Sequence, residues 1–127
     1  MIVGQAAKSA GLPAKTLRYY EEIGLVEPAR LDNGYRDYDE RDLSRLKFLS
    51  RARSLGFSIP DCRALLSLGD DQHRSSRDVK AIASAHLENI EQKIIELRTM
   101  KQALTKLVSS CHGDEHADCP IIDELTK

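Results

Sequence analysis

The sequence predicts a mainly α-helical protein in which a winged helix-turn-helix is followed by a long helix and a short C-terminal loop. Three observations lead to this fold class. Two short helical segments are separated by a Gly- and Pro-containing turn at 11–13. An Asn-Gly pair at 33–34 signals a hairpin. Residues 76–108 then contain neither glycine nor proline, as expected for one long helix.

The composition is that of one folded domain, or of a small domain with an appended helix. The chain has 127 residues, of which 41% are hydrophobic and 31% charged, and this supplies enough apolar side chains for a core. No run of about 18 apolar residues is present, and no secretory signal is recognisable, so the cytoplasm is the expected compartment. The net charge of -1 does not by itself indicate nucleic-acid binding.

Residues 1–24 indicate two short helices joined by a tight turn. Residues 5–10 are small and Ala-rich, and Gly11 ends them as a C-terminal cap. Pro13 suits the first turn of a second helix, expected over 14–23, because its missing N–H is not needed there. The pair is typical of a helix-turn-helix, although two helices that merely pack as a hairpin show the same pattern.

The segment after the second helix predicts a small β-hairpin. Residues 25–26 are a candidate for a short strand, and 35–38 alternate as another. The Asn-Gly pair at 33–34 predicts a tight turn in which both residues take positive φ. A hairpin in this position is a wing. The side chains that it would present on one side are Arg30, Tyr35 and Arg36.

Two further helices are predicted from their N-terminal caps. Asp39 and Asp42 have the spacing of a capping box. Ser58 and Pro60 mark the start of a fourth helix, which is expected to end at the break formed by 69–71.

Residues 76–108 are expected to carry an apolar seam along one long helix. Apolar positions recur at alternating steps of four and three residues, with Lys101 as the polar interruption. A helix of roughly 45–50 Å is too long to cover this seam against so small a domain. We therefore expect it to pair with the same helix of a second chain rather than to fold back. The seam residues are Ala83, Leu87, Ile90, Ile94, Leu97, Leu104 and Val108.

The tail contains a candidate metal site at Cys111 and Cys119. Their spacing is not that of a Cys-x-x-Cys redox pair, and two thiolates on a short loop suit Cu(I), a soft ion that accepts few ligands. Such a loop can bring the sulfur atoms to roughly 4.5 Å, twice a metal–sulfur distance. His112 and His116 lie in the same loop, so a zinc site made of all four side chains stays open as an alternative.

Two thiolates around a monovalent ion leave one negative charge, which a buried site must compensate. Ser76 is expected to cap the long helix, whose N-terminus favours anions, and Lys80 adds a positive charge one turn later. In a dimer, the loop of one chain could rest on this helix end of the other. Cys62 is interpreted as a small helix residue and not as a ligand.

Several motifs together resemble those of the MerR family of transcription regulators. They are RYYE-x-x-GL at 18–25, NGYR-x-Y at 33–38 and DLSRLKFLSRARSLGFSI at 42–59. The tail CHGDEHADCP at 111–120 resembles that of the copper-responsive branch. Ser76 stands where divalent-metal sensors of the family place a cysteine.

The resemblance implies a homodimer, held by an antiparallel coiled coil, that binds a palindromic promoter on which RNA polymerase also acts. It implies activation of transcription by DNA distortion when Cu(I), Ag(I) or Au(I) binds. Base contacts would come from the second helix and phosphate contacts from the wing and the next helix. The implied DNA-binding residues are Lys15, Arg18, Tyr19, Tyr20, Arg30, Tyr35, Arg36 and Arg53. Tyr20 also fits the apolar face of its helix.

Other classes of function explain less of the sequence. A copper-carrying thiol protein would account for the two cysteines but not for the wing. A regulator of organic effectors needs a larger C-terminal domain, and no nucleophile–base pair indicates an enzyme. The predicted segments are a winged helix-turn-helix DNA-binding domain at 1–69, a hinge at 70–75, a dimerisation helix at 76–108, and a metal-binding loop with a short helix at 109–127.

Overall fold

Six helices and one two-stranded sheet make up the computed structural model, which describes residues 1–127. The chain divides into two units, Met1–Ile82 and Ala83–Lys127. The predicted fold class, mainly α-helical with a winged helix-turn-helix and a long helix, is confirmed. None of the helices has the length and apolar character needed to span a membrane. The elements are α1 (Val3–Ala10), α2 (Ala14–Glu22), β1 (Ala29–Arg30), β2 (Arg36–Asp37), α3 (Glu40–Ser54), α4 (Ile59–Asp70), α5 (Ser76–Ser110) and α6 (Pro120–Leu125).

The first unit is built around α3, which packs against α1 and α4, while α1 also packs against α2. Gly11 ends α1 with a φ of 71°, a left-handed conformation that glycine adopts without a Cβ clash. Pro13 directly precedes α2, so the turn between the first two helices is the predicted one. The buried side chains of this unit include Ala6, Leu17, Tyr20, Leu25, Val26, Tyr38, Leu46, Leu49, Cys62 and Leu66.

The wing pairs Ala29–Arg30 with Arg36–Asp37 in antiparallel register. The predicted strand at 25–26 is therefore wrong. Both of these residues are 1% exposed, and both of their N–H groups donate to the carbonyl of Tyr20. Because the end of α2 takes these donors, the segment is held in the core and cannot join a sheet.

The tip of the wing is also wider than the predicted two-residue turn. Gly34 has a φ of 86°, whereas no residue other than glycine has a positive φ. Asn33 instead accepts the N–H of Tyr35 on its side-chain oxygen, at 3.1 Å. This side-chain turn satisfies the backbone without a left-handed Asn.

The two predicted helix caps are present. Asp39 and Asp42 form a capping box in which the N–H of Asp42 donates to Asp39 Oδ1 at 2.8 Å. The same N–H lowers the pKa of the Asp39 carboxyl. Ser58 Oγ accepts the N–H of Asp61 at 3.2 Å, which starts α4.

Helix α4 continues through Gly69 to Asp70, beyond the predicted break at 69–71. A glycine inside a helix costs about 1 kcal/mol relative to alanine. Asp70 is held from outside the helix, because Arg45 of α3 donates to its carboxylate at 2.7 Å. This tertiary contact stabilises a last turn that local propensity does not favour.

Helix α5 is 35 residues long, about 52 Å at the usual rise per residue. Its cap is Ser75 and not the predicted Ser76, because Ser75 Oγ accepts the N–H of Arg77 at 3.2 Å. No residue of α5 is buried within the chain. The predicted seam is accordingly open, with Leu87 55% and Leu97 59% exposed.

Buried phenols make the first unit sensitive to alkaline pH. Burial raises the pKa of Tyr38 above its ordinary value of 10.0. Below that pH both the folded and the unfolded chain keep this proton, whereas above it the unfolded chain loses the proton first, so stability falls as the pH rises. We expect Tyr38→Phe to reduce this alkaline loss. Urea unfolding at neutral pH and above pH 10.0 measures the free energy of unfolding.

The matched control is Tyr35→Phe, at a side chain that is 68% exposed. It should leave the alkaline loss as it is in the wild type. An equal alkaline loss in Tyr38→Phe and in the wild type would contradict the assignment.

Candidate DNA-binding surface and metal-binding loop

Helix α2 exposes three of the predicted DNA contacts. Lys15 and Arg18 are exposed, and Tyr19 is 47% exposed. No carboxylate of the chain forms an ion pair with either cation. Unpaired cations beside an aromatic ring on one short helix suit hydrogen bonds to base edges in a major groove.

Tyr20 lies in the core, where its side chain is 4% exposed. Burial raises the pKa of its phenol, and the neighbouring Arg53 guanidinium opposes that shift. The sequence allowed two roles for Tyr20, packing in the core and contact with DNA. The structure places the side chain in the core, and a DNA contact by Tyr20 stays a prediction. Arg53 itself is exposed and donates through Nη1 to the carbonyl of Phe57 at 2.6 Å.

The three predicted wing residues lie on one hairpin and reach solvent to different extents. Tyr35 is 68% exposed. The side chain of Arg30 is 58% exposed and that of Arg36 is 33% exposed. Arg30 Nη1 also donates to the carbonyl of Gly34 at 3.1 Å, which ties the tip of the wing to its first strand.

One carboxylate connects the wing to α2. Arg36 Nε donates to Glu21 Oε2, and Arg30 Nη2 lies 3.9 Å from Glu21 Oε1. The sequence interpretation does not include Glu21 among the functional residues. The feature of the sequence that could have identified Glu21 is its position: it is an acidic residue in the last turn of a helix, where the macrodipole favours cations.

In the second unit, two helix ends bring the predicted metal ligands together. Cys111 directly follows α5, and Cys119 directly precedes α6. Their Sγ atoms are 3.7 Å apart, both residues are half-buried and neither forms a disulfide. Residues 112–118 between them are exposed.

The start of α6 favours the thiolate form of Cys119. The backbone N–H of Ile122 hydrogen-bonds its sulfur and, with a smaller effect from the Cys111 thiol, lowers the pKa of Cys119. The thiolate is the form of cysteine that binds metals. The loop adds negative charge of its own, so a cation supplied from elsewhere would stabilise a two-thiolate site. The acidic residues between the cysteines are Asp114, Glu115 and Asp118.

The sulfur spacing is shorter than the predicted value of roughly 4.5 Å. At 3.7 Å the two thiols are close enough to share an S–H···S hydrogen bond, with either sulfur as donor. To hold one ion between them, the sulfur atoms would have to separate by about 0.9 Å, to twice a metal–sulfur distance of about 2.3 Å. Two half-buried sulfur donors at the ends of a short loop fit a soft ion of low coordination number.

The loop histidines do not join the cysteines. The chain contains no group of three or more His, Cys, Asp or Glu side chains that could hold a metal ion. His116 Nδ1 lies 3.2 Å from Asp114 Oδ2, and its side chain is 84% exposed. The four-ligand zinc arrangement with His112 and His116 is therefore not formed in this structure.

Two residues were predicted to compensate charge at the metal site, and both lie in the first turns of α5. Ser76 is its first residue, and both Ser76 and Lys80 are exposed. Lys80 forms no ion pair within the chain. Their role toward the loop of a second chain stays a prediction.

Comparison with known proteins gives matches along most of the chain. Residues 1–68 match a family described as MerR HTH family regulatory protein. Residues 43–107 match a family described as MerR, DNA binding. The two matches overlap within α3 and α4 and together span the helix-turn-helix, the wing and most of α5.

Individual relatives are similar over nearly their full length. The HTH-type transcriptional regulator HmrR of Rhizobium leguminosarum bv. viciae is 50% identical over 126 residues, which cover 99% of this chain and 98% of that protein. The HTH-type transcriptional regulator CueR of Salmonella typhimurium is 44% identical over 127 residues, which cover 99% and 92%. Among solved structures, the regulator PbrR691 of Ralstonia metallidurans CH34 in complex with lead(II) has a TM-score of 0.84 and 35% identity, with 98% of both chains covered.

Proposed function

The chain belongs to the MerR family of helix-turn-helix transcription regulators, and from this premise we propose that it is a metal-responsive regulator of the copper-sensing kind. Members of this family are DNA-binding regulators and not enzymes. The proposed protein binds a palindromic promoter as a homodimer. It activates transcription there by distorting the DNA when Cu(I), Ag(I) or Au(I) is held by Cys111 and Cys119.

The observation that carries the choice of metal is a pair of sulfur atoms 3.7 Å apart with no third ligand. Zinc takes four ligands in structural sites, whereas soft monovalent ions are satisfied by few thiolates. A zinc-responsive regulator would need His112 and His116 to turn toward the cysteines. The solved complex of PbrR691 holds lead(II), which supports metal response in general but not copper in particular. A copper-carrying thiol protein is not favoured, because it would leave the helix-turn-helix and the wing without a use.

We assign the parts of the chain accordingly. The winged helix-turn-helix at 1–69 meets DNA, 70–75 acts as a hinge, 76–108 pairs with a second chain, and 109–127 binds metal. Lys15, Arg18 and Tyr19 contact base edges. RNA polymerase acts on the same promoter. The remaining proposed contacts are to phosphates. The phosphate-contacting residues are Arg30, Tyr35, Arg36 and Arg53.

Metal can select one of two dimer shapes only by binding it more tightly than the other. Ordering of the 111–119 loop against the N-terminus of α5 in the second chain would supply that difference in affinity. Distortion of the promoter costs a few kcal/mol, which contacts between the protein and the phosphates offset.

A competition between Cu(I) and Zn(II) for the reduced dimer tests the proposal. Transcription from a promoter that the protein binds is measured at the same time. Copper should displace zinc and raise transcription. Activation by zinc at lower free concentrations than copper would favour the four-ligand alternative and contradict the two-sulfur site.

Charge compensation by Lys80 gives a separate prediction. We expect Lys80→Glu to raise the metal concentration for half-maximal transcription by about 10- to 100-fold, the usual range for groups next to metal ligands. Thermal unfolding should be unchanged, because Lys80 is exposed and forms no ion pair. Lys80→Arg keeps the charge and should keep the response. An unchanged response in Lys80→Glu would remove this residue from the site.

A further inference from the structure

The end of α2 carries an electrostatic conflict. Glu21 and Glu22 stand in its last turn, and no basic residue accompanies them. Carboxylates at the negative end of a helix macrodipole are unfavourable. They also lie on the helix that exposes Lys15 and Arg18, where negative charge repels phosphate. A residue that breaks a local rule at a binding surface often serves another purpose there.

A second conflict lies in the wing. Arg30 of β1 and Arg36 of β2 are direct partners in the antiparallel register. Like charges placed opposite each other in this way destabilise a strand pair. A hairpin with only two residues in each strand has few ladder hydrogen bonds with which to offset that repulsion.

The contacts of Glu21 with the wing offset both its own unfavourable position at the end of α2 and the repulsion within the wing. Its side chain is only 20% exposed, and each of its oxygens faces a different strand of the wing. Arg36 Nε donates to Oε2, and Arg30 Nη2 lies 3.9 Å from Oε1. The carboxylate thus offsets the repulsion between the two arginines and joins both strands to the end of α2.

The contact leaves donors of the wing available. A guanidinium has five N–H groups, and Glu21 accepts the one at Nε of Arg36. The terminal nitrogen atoms of Arg36 donate to no other group of the protein. The wing can therefore be fixed by Glu21 and still offer N–H groups to a phosphate.

We propose that Glu21 is a positioning residue that fixes the wing relative to α2, so that base-reading and phosphate-binding side chains meet DNA in one register. This inference rests on the proposed DNA-binding function. Glu21 acts through Arg30 and Arg36 and does not itself contact DNA.

The role can be separated from simple charge because the two effects have opposite signs. Loss of one negative charge beside DNA should by itself strengthen binding to every sequence. Loss of the wing's position should weaken binding to the preferred sequence, where both elements must fit together. Glu22 provides the matched control, since it is adjacent, exposed and forms no ion pair.

The experiment compares Glu21→Gln with Glu22→Gln in the full-length protein. The probes are a duplex selected from randomised DNA by the wild type and a scrambled duplex of the same length. We expect Glu21→Gln to lose about tenfold in affinity for the selected duplex, within the range for coupled contacts, and to lose none for the scrambled duplex. Glu22→Gln should bind both duplexes at least as tightly as the wild type.

Equal affinities of Glu21→Gln and Glu22→Gln for the selected duplex would overturn the inference while leaving the proposed function intact. A wild type that selects no preferred sequence would overturn both. Thermal unfolding checks that the variants are folded. If Glu21→Gln fails to fold, Glu21→Asp replaces it, because it keeps the charge but is too short to reach both arginines. Wild-type affinity of that variant for the selected duplex would again overturn the inference.

Discussion

Replacement of either Cys111 or Cys119 by serine is expected to abolish metal-induced transcription and to leave DNA binding intact. The structure offers two sulfur donors and no third ligand, so each substitution removes half of the donor set. Loss of an outer-shell group already costs about 10- to 100-fold in metal affinity, and loss of a ligand should exceed that range. Transcription as a function of buffered Cu(I) concentration measures the effect.

Three controls separate the proposed ligands from general thiol or loop effects. Cys62→Ala removes a thiol that is fully buried in the first unit, and it should retain the copper response after a modest loss of stability. His112→Ala and His116→Ala alter the exposed part of the loop and should also retain it. The assignment is contradicted if Cys111→Ser or Cys119→Ser still responds to copper. It is also contradicted if the histidine variants lose the copper response as completely as the cysteine variants do.

Features of the fold that depend on neighbouring residues could be predicted from the sequence. The capping box of Asp39 and Asp42 needs only a spacing of three residues and two side chains of the right length. The glycine that ends α1 and the proline that precedes α2 act in the same local way. The long helix follows from a repeating pattern over many residues, where single errors matter little.

Features that depend on a hydrogen bond to another element of the fold could not be predicted in this way. Residues 25–26 resemble a strand in composition, but the carbonyl of Tyr20 takes their N–H groups. Helix α4 continues beyond Gly69 because Arg45 of α3 donates a hydrogen bond to the carboxylate of Asp70. The partner of Asp70 is remote in sequence, whereas the Tyr20 carbonyl is near in sequence but belongs to the end of α2. In both cases a specific hydrogen bond overrides local propensity.

In the candidate site, too, some features could be predicted from the sequence and others could not. The two cysteines could be found from residue type and spacing, because a short loop between helix ends leaves them little freedom. The sulfur separation of 3.7 Å could not be predicted, since residue type and spacing do not determine how closely the two ends of the loop approach. Glu21 is the clearest omission, because its role depends on Arg36, which lies 15 positions away.

The exposed seam of α5 leads to the second large expected effect. Leu97 is 59%, Leu104 55% and Val108 62% exposed. Monomeric proteins rarely leave a continuous apolar stripe in water, and the heptad spacing of this one suits a second helix. An apolar groove runs along the C-terminal half of the seam. Its lining residues are Leu97, Met100, Lys101, Leu104, Thr105, Val108 and Ser109.

We expect Leu97→Lys to convert the proposed dimer into monomers. Burial of a leucine contributes about 1.5–3 kcal/mol, and a two-fold symmetric interface carries each substitution twice. The free energy of dimerisation should therefore weaken by at least about 3 kcal/mol, which raises the dimer dissociation constant by about two orders of magnitude. Two ammonium groups that must leave water on association would increase it further. Sedimentation equilibrium over a range of concentrations measures this constant.

Gln92→Lys adds the same charge to an exposed position of α5 on the side of the heptad opposite the seam, so it should remain dimeric. Circular dichroism separates dissociation from loss of the helix. Binding to a palindromic duplex should fall in parallel with dissociation in Leu97→Lys, because a monomer reads only one half-site. A Leu97→Lys protein that sediments as a dimer at the concentrations where the wild type does would show that the two chains associate through another surface.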